Sequence, residues 1–167
     1  RGEDGRWHCT LLIRNGRIAD LPDAPLMTTL RQIAQQVPVV FALTTNQNVT
    51  LAGISDSDRS RVDELLAANG LARLTTAGSL EHSAMACVAL PTCGLAMAES
   101  ERYLPSLLRK LNGIIDEVGL AGAPITIRMS GCPNGCSRPF LAEIGLVGKA
   151  PGKYNLYLGG SPRGERL

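Results

Sequence analysis

Four cysteines in two clipped pairs, Cys87-x5-Cys93 and Cys132-x3-Cys136, constrain this chain more than any other feature. The second pair lies within Gly131-Cys132-Pro133-Asn134-Gly135-Cys136. Proline presets φ for the first central position of a turn, and Asn and Gly tolerate backbone angles that other residues avoid. A turn of this kind lets backbone N–H groups approach sulfur, which suits a soft metal centre better than an apolar core. Structural zinc favours pairs separated by about two to four residues. The tightest knuckles take the short end of that range, and five and three intervening residues match them poorly. The Cys-x2-Cys-x2-Cys run of small bacterial ferredoxins is absent, as is a thioredoxin-like Cys-x-x-Cys. With 38 residues between the pairs, an iron–sulfur cluster on four thiolates leads, while zinc and plain buried thiols stay open.

A chain of 167 residues, 44% hydrophobic, has room for one ordinary domain or two small ones. A core of that size argues against a disulfide framework, which belongs to small secreted chains that lack one. The five cysteines therefore read as reduced thiols in a cytoplasmic protein. No apolar run approaches the ~18 residues a membrane-spanning helix needs. Scattered arginines at a net charge of +2 form no basic patch, so nucleic acid is not an expected partner. The polar opening Arg1-Gly2-Glu3-Asp4-Gly5 and the ending Ser161–Leu167 read as cuts within a longer polypeptide.

The first stretch reads as α/β. Trp7, Cys9, Leu11 and Ile13 alternate with His8, Thr10 and Leu12, the period of a half-buried strand. Asn15-Gly16 predicts a type I′ hairpin leading to a short return over 17–19. Leu26, Leu30, Ile33, Ala34 and Val37 recur at helical spacing between Pro25 and Pro38. Residues 39–44 predict a buried strand, joined by a polar turn to a second strand over 49–53. A helix follows from about Ser57, with Val62, Leu65 and Leu66 on one face and Gly70 past its end. The order β-(β)-α-β-β-α is that of a ferredoxin-like unit.

After a small polar joint at 75–79, a second module carries the cysteines. If Thr92 caps a helix over 96–102, that N-terminus offers partial positive charge to an anionic cluster. Gly94 leaves room for a bulky cofactor against the backbone. Leu104, Leu107, Leu108, Leu111, Ile114, Ile115 and Val118 form a helical stripe, with Pro105 marking either a kink or a fresh start. A strand over 125–129 delivers the chain to Gly131, and two strands over 143–147 and 154–158 close the module. The expected fold class is α+β, divided at 1–77 and 78–167.

Residues 86–99 and 128–136, read together, closely resemble the two cluster-ligand segments of the sulfite reductase haemoproteins, in the sulfite and nitrite reductase superfamily. The run 141–160 resembles the haemoprotein subunits of bacterial NADPH-dependent enzymes in particular, and the likeness extends back through Thr44-Thr45-Asn46-Gln47-Asn48 to Trp7. The resemblance implies a ferredoxin-like half-domain followed by a sirohaem and iron–sulfur domain that is incomplete at its C-terminus. It implies that Cys87, Cys93, Cys132 and Cys136 hold a 4Fe-4S cluster, and that Cys136 also ligates sirohaem iron and so takes part in catalysis. The implied reaction is the six-electron reduction of sulfite to sulfide, in sulfur assimilation and cysteine biosynthesis. Assimilatory nitrite reductase is the sister reading, and a four-cysteine zinc or electron-transfer module the non-catalytic one.

No Gly-x-Gly-x-x-Gly follows a strand, so electrons are expected from another protein, which the resemblance implies is a flavoprotein reductase subunit, with ferredoxin as the alternative. The family's anion-binding residues belong to an N-terminal half of the same polypeptide, so this chain alone is expected to be inactive. Ala42 stands where the family often has Arg, and no anion-binding role is carried over to it. Cys9 reads as a core thiol, and His8 and His82 as surface or hydrogen-bonded residues. Asn134 either faces the cofactor or shapes the turn.

Overall fold

The computed structural model describes residues 1–76 and 78–164 and divides into two compact units, Arg1–Ala77 and Gly78–Leu167. In the first unit the order is β1 (Trp7–Leu11), β2 (Asp20–Leu21), β3 (Ala24–Pro25), α1 (Leu26–Gln36), β4 (Val40–Leu43), β5 (Val49–Ile54) and α2 (Asp56–Ala68). β5 is the central strand of an antiparallel sheet ordered β1-β5-β4, with Cys9 and Phe41 both opposite Leu51. Strand alternation turns Leu11, Ile13, Val49 and Leu51 into the core. There they meet Leu30 and Ile33 of α1 and Val62 and Leu66 of α2. Ser55 caps α2 by accepting the Asp58 N–H at 3.2 Å, and Asp56 and Asp58 set negative charge on the helix's first turn. Gly70 ends the segment at φ 68°, a conformation open to glycine at little cost.

Two expectations for this unit fail. Asn15 and Gly16 do adopt the left-handed angles of a primed turn, at φ 53° and 70°, but within a single 3₁₀ turn over Arg14–Gly16. The chain leaves it extended and no return strand forms. β1 pairs with β5 instead, because that register buries Leu11 and Ile13, whereas residues 17–19 have little apolar surface to bury. The strand expected to be buried, β4, is a sheet edge with Val40 66% and Leu43 83% exposed. A continuous β-branched run cannot by itself distinguish a central strand from an edge.

The second unit runs α3 (Ser79–Ser83), β6 (Met85–Ala86), α4 (Leu104–Glu117), β7 (Ile127–Ser130), β8 (Ile144–Ala150) and β9 (Lys153–Leu158). Its sheet is ordered β6-β7-β8-β9. The first two pairings are parallel, and β8–β9 is an antiparallel hairpin. Parallel neighbours need a long crossover, and α4 lies within the one that joins β6 to β7. Leu104 and Leu108 of α4 pack with Ile127 and Met129 of β7. Pro105 lies in the first turn of α4, where its missing N–H costs no helical bond, so it marks a fresh start rather than a kink. The apolar stripe is buried only toward that end, since Ile114 and Val118 face water.

No helix forms over 96–102. The Met97 and Ala98 N–H groups both donate to the Gly131 carbonyl, at 2.9 and 3.0 Å, so these amides serve a contact between segments. The expected dipole from a helix capped by Thr92 is therefore absent. No helix among the described residues is long and apolar enough to cross a membrane.

Asn48, 4% exposed, accepts the Ile13 N–H at 3.0 Å and so ties the β4–β5 turn to the end of β1. Asn48→Ala leaves that amide buried without its acceptor, at a cost of about 1–3 kcal/mol. Urea unfolding should show a lower midpoint with an unchanged m-value.

Candidate metal centre

The parallel pairing of β6 with β7 places the cysteine segments side by side. Ala86 lies opposite Met129, and one residue further on the Cys87 N–H donates to the Met129 carbonyl at 3.1 Å. The Gly131 N–H then donates to Cys87 Sγ at 3.2 Å. The first cysteine of one pair thus sits against the residue that precedes the first cysteine of the other.

The loop after Cys87 folds around that junction. Cys93 N–H donates to the Ala89 carbonyl at 2.8 Å, and Glu101 N–H returns to the Cys87 carbonyl at 3.1 Å. Ser100, wholly buried, donates its hydroxyl to the Met129 carbonyl. At Gly131 a Cβ would stand 2.5 Å from Ala89 Cβ and 2.7 Å from the Ala98 carbonyl oxygen. The close approach of these two segments therefore requires a residue without a side chain. Gly148 of β8 is equally constrained, its would-be Cβ lying 2.3 Å from the Gly131 carbonyl oxygen. Gly94, by contrast, faces open space and bears no such contact.

The second pair is carried on a tight turn. Gly135, at φ 68°, donates to the Cys132 carbonyl at 3.3 Å, and Arg138 N–H donates to the Gly135 carbonyl at 2.7 Å. The Asn134 side-chain amide donates to Cys136 Sγ at 3.2 Å, so Asn134 is held within the turn by the thiol that the sequence singled out. Cys136 is exposed, Cys87, Cys93 and Cys132 are half-buried, and all four are free thiols. Among the described residues, no three His, Cys, Asp or Glu side chains are gathered closely enough to hold a metal ion as they stand. The donor chemistry nonetheless fits an iron–sulfur centre: four reduced sulfurs, two to a loop, with the loops joined at Gly131 and N–H donors already on two of the sulfurs.

Cys9 takes no part. It packs against the core of the other unit, and burial, reinforced by Asp63, pushes its thiol pKa up. His8 lies 3.4 Å from Asp4, and His82 lies on α3.

Two cations near the second turn escaped the sequence reading. Arg128, 6% exposed, occupies the middle of β7. Burial lowers its pKa, nearby Arg138 lowers it further, and Glu143 opposes both. Arg138 also reaches Met85 Sδ at 3.8 Å. The signal was an arginine inside the apolar run Ile127–Met129. Glu143 accepts the Thr126 N–H at 2.9 Å and the Thr126 hydroxyl. Burial alone would raise the Glu143 pKa, but these bonds outweigh it and hold the carboxyl below its ordinary value.

With this geometry in place, residues 1–69 match the nitrite/sulfite reductase ferredoxin-like half domain. That half domain accounts for the first unit, and over its whole length the chain is similar to sulfite reductase hemoproteins. It is 58% identical over 167 residues to the NADPH sulfite reductase hemoprotein beta-component of Nitrobacter winogradskyi, covering 100% of this chain and 29% of that relative. The corresponding hemoprotein of Bordetella petrii is 58% identical over 166 residues, covering 99% of this chain and 28% of the relative. The solved structure of the Mycobacterium tuberculosis NirA protein matches with a TM-score of 0.76 at 22% identity, over 95% of this chain and 30% of that one, and shares its fold. The chain thus spans about 29% of the length of the curated relatives it matches.

Gly131→Ala should separate the two cysteine segments, whereas Gly94→Ala should be tolerated. Hydrogen exchange at the Met97 and Ala98 amides is the measurement. Faster exchange is expected in the first variant and unchanged exchange in the second.

Proposed function

We propose that this chain is the part of a sulfite reductase haemoprotein that holds a 4Fe-4S cluster and supplies the thiolate ligand of sirohaem. The observation that carries this reading is the junction at Gly131, which joins the Cys87–Cys93 loop to the Cys132–Cys136 turn at the ends of adjacent parallel strands. Cys87, Cys93, Cys132 and Cys136 are the proposed cluster ligands. Cys136, the exposed member, is the one shared with sirohaem and the residue closest to the chemistry. When bound, the coupled pair of cofactors supplies the one-electron steps of a six-electron reduction of sulfite to sulfide.

The chain's own contribution is to bind and to orient. The Gly131 N–H donates to Cys87 Sγ and the Asn134 side-chain amide to Cys136 Sγ. The same two donors fix the direction of each sulfur. Arg128 and Arg138 add positive charge beside the turn, which suits an anionic centre.

The remaining requirements fall outside these residues. Reduction of an oxyanion calls for several cations at the substrate face. Of the three lysines, Lys110 lies on α4, Lys149 on β8 and Lys153 on β9. The sulfite-binding cations and the rest of the sirohaem cradle are assigned, by the resemblance, to the N-terminal half of the same polypeptide. A flavoprotein reductase subunit is the proposed electron donor, with ferredoxin as the alternative, and assimilation of sulfur toward cysteine in the cytoplasm is the setting.

In the full-length protein, Cys136→Ser should abolish sirohaem ligation and destabilise the cluster, while Cys9→Ser should leave both intact. Iron and sulfide analysis with a visible spectrum measures this. A Cys136 variant with normal sirohaem bands would overturn the ligand assignment, and a higher kcat/KM for nitrite than for sulfite would move the substrate to the sister class.

The isolated chain should not reduce sulfite. With dithionite-reduced methyl viologen as donor, sulfide release at the full-length rate would place the substrate-binding groups within these 167 residues after all.

A further inference from the structure

Six polar or charged residues are buried among the described residues, and four of them lie in the cysteine-bearing unit: Ser100, Arg128, Ser130 and Ser137. Two of these bracket the second cysteine turn. Ser130 is the last residue of β7, and Ser137 follows Cys136 directly. They are 1% and 2% exposed, their hydroxyl oxygens lie 2.7 Å apart, and the Ser137 N–H donates to Ser130 Oγ at 3.2 Å. Burying hydroxyls is unfavourable unless they are hydrogen-bonded, and here each is bonded to the other.

We infer that the Ser130–Ser137 pair is a latch that closes the Gly131–Cys136 turn and positions the Cys132 and Cys136 thiols, with Ser130 as its anchor. The inference rests on the reading of those thiols as cluster ligands. Ser130 is held in the ladder opposite Val147 of β8, so its hydroxyl is a fixed point. Ser137 is tied to that point twice, through its amide and its hydroxyl. The exit of the turn is thereby set relative to its entry, and the two cysteines between them inherit that constraint. Both serines are positioning residues: the bonds they make run to each other and not to sulfur.

The hydrogen count makes the two ends of the latch unequal. Ser130 Oγ accepts the Ser137 amide hydrogen, and one of the two hydroxyls donates to the other. Removing the Ser130 hydroxyl orphans both a buried N–H and a buried hydroxyl. Removing the Ser137 hydroxyl leaves the N–H···Oγ bond in place. A residue that only filled space would show no such order, since Ser130→Ala and Ser137→Ala delete the same atom.

The test uses the full-length protein that contains this chain. In the holoprotein, iron should be lost to a chelator about tenfold faster in Ser130→Ala than in wild type, with Ser137→Ala between them. Ser137→Ala, which keeps its cluster, should also shift the electron paramagnetic resonance signature of the reduced cluster. In metal-free protein, Ser130→Ala should speed alkylation of Cys132 and Cys136 relative to Cys87, with Cys9 unchanged. Equal acceleration at Cys87 and Cys132, or a Ser137→Ala effect that matches or exceeds Ser130→Ala, would overturn the latch. Absence of any cluster from the wild-type protein would count against the cofactor reading instead, and the alkylation comparison would then decide the latch by itself.

Discussion

The pairing of β6 with β7 is the interaction on which the second unit depends. β6 is only two residues long, Met85–Ala86, yet it sets the register of everything that follows. Once Ala86 is opposite Met129, Cys87 is bound to arrive beside Gly131, and the remaining contacts of the 87–101 loop can form. Gly131 then serves three segments at once. Its N–H goes to Cys87 Sγ, its carbonyl accepts from Met97 and Ala98, and its bare Cα lets Ala89 and the Ala98 carbonyl approach. So short a strand cannot be stable alone, and burial of Leu104, Leu108, Ile127 and Met129 against the sheet supplies what its hydrogen bonds do not.

Around this junction buried serines and the half-buried Thr126–Glu143 pair stand where the backbone enters or leaves a strand or turn. Ser100 satisfies the Met129 carbonyl, Ser130 satisfies the Ser137 amide, and Thr126 with Glu143 ties the start of β7 to the start of β8. In a site of low polarity each such bond is stronger than in water, and the penalty for losing one is correspondingly larger. That asymmetry makes turns of this kind stiff. Stiffness is what a set of thiols needs if the sulfurs are to be presented to a cofactor in one arrangement. The first unit uses the same device at Asn48, whose side chain caps the otherwise unmatched Ile13 amide.

The fold of the first unit was legible because its periodicities are strong: α1 and α2 fall within a residue or two of their expected bounds, and the core residues Val62, Leu65 and Leu66 were named from spacing. Local signals misled where a pairing decision was at stake. Asn15-Gly16 has the angles of a hairpin but no strand to pair with, and β4 has the composition of a central strand but an edge position. Thr92 was legible as a cap and Gly94 as cofactor space. Tertiary hydrogen bonds to Gly131 override the first, and the second faces open space.

At the centre, residue types and spacing singled out four candidate thiols and the turn at 132–136, because thiol chemistry and the angles of Pro, Asn and Gly are local properties, while the resemblance to the sulfite reductase haemoproteins is what implied a cluster on them. What only the tertiary structure decided is how the two pairs meet. A parallel contact across the long crossover from β6 to β7 leaves no periodic trace in either segment. The same holds for Ser130 and Ser137, for Arg128 beside Arg138, and for the need for glycine at 131: each depends on which atoms stand opposite after folding. Sequence determined which thiols are present, and packing decided their arrangement.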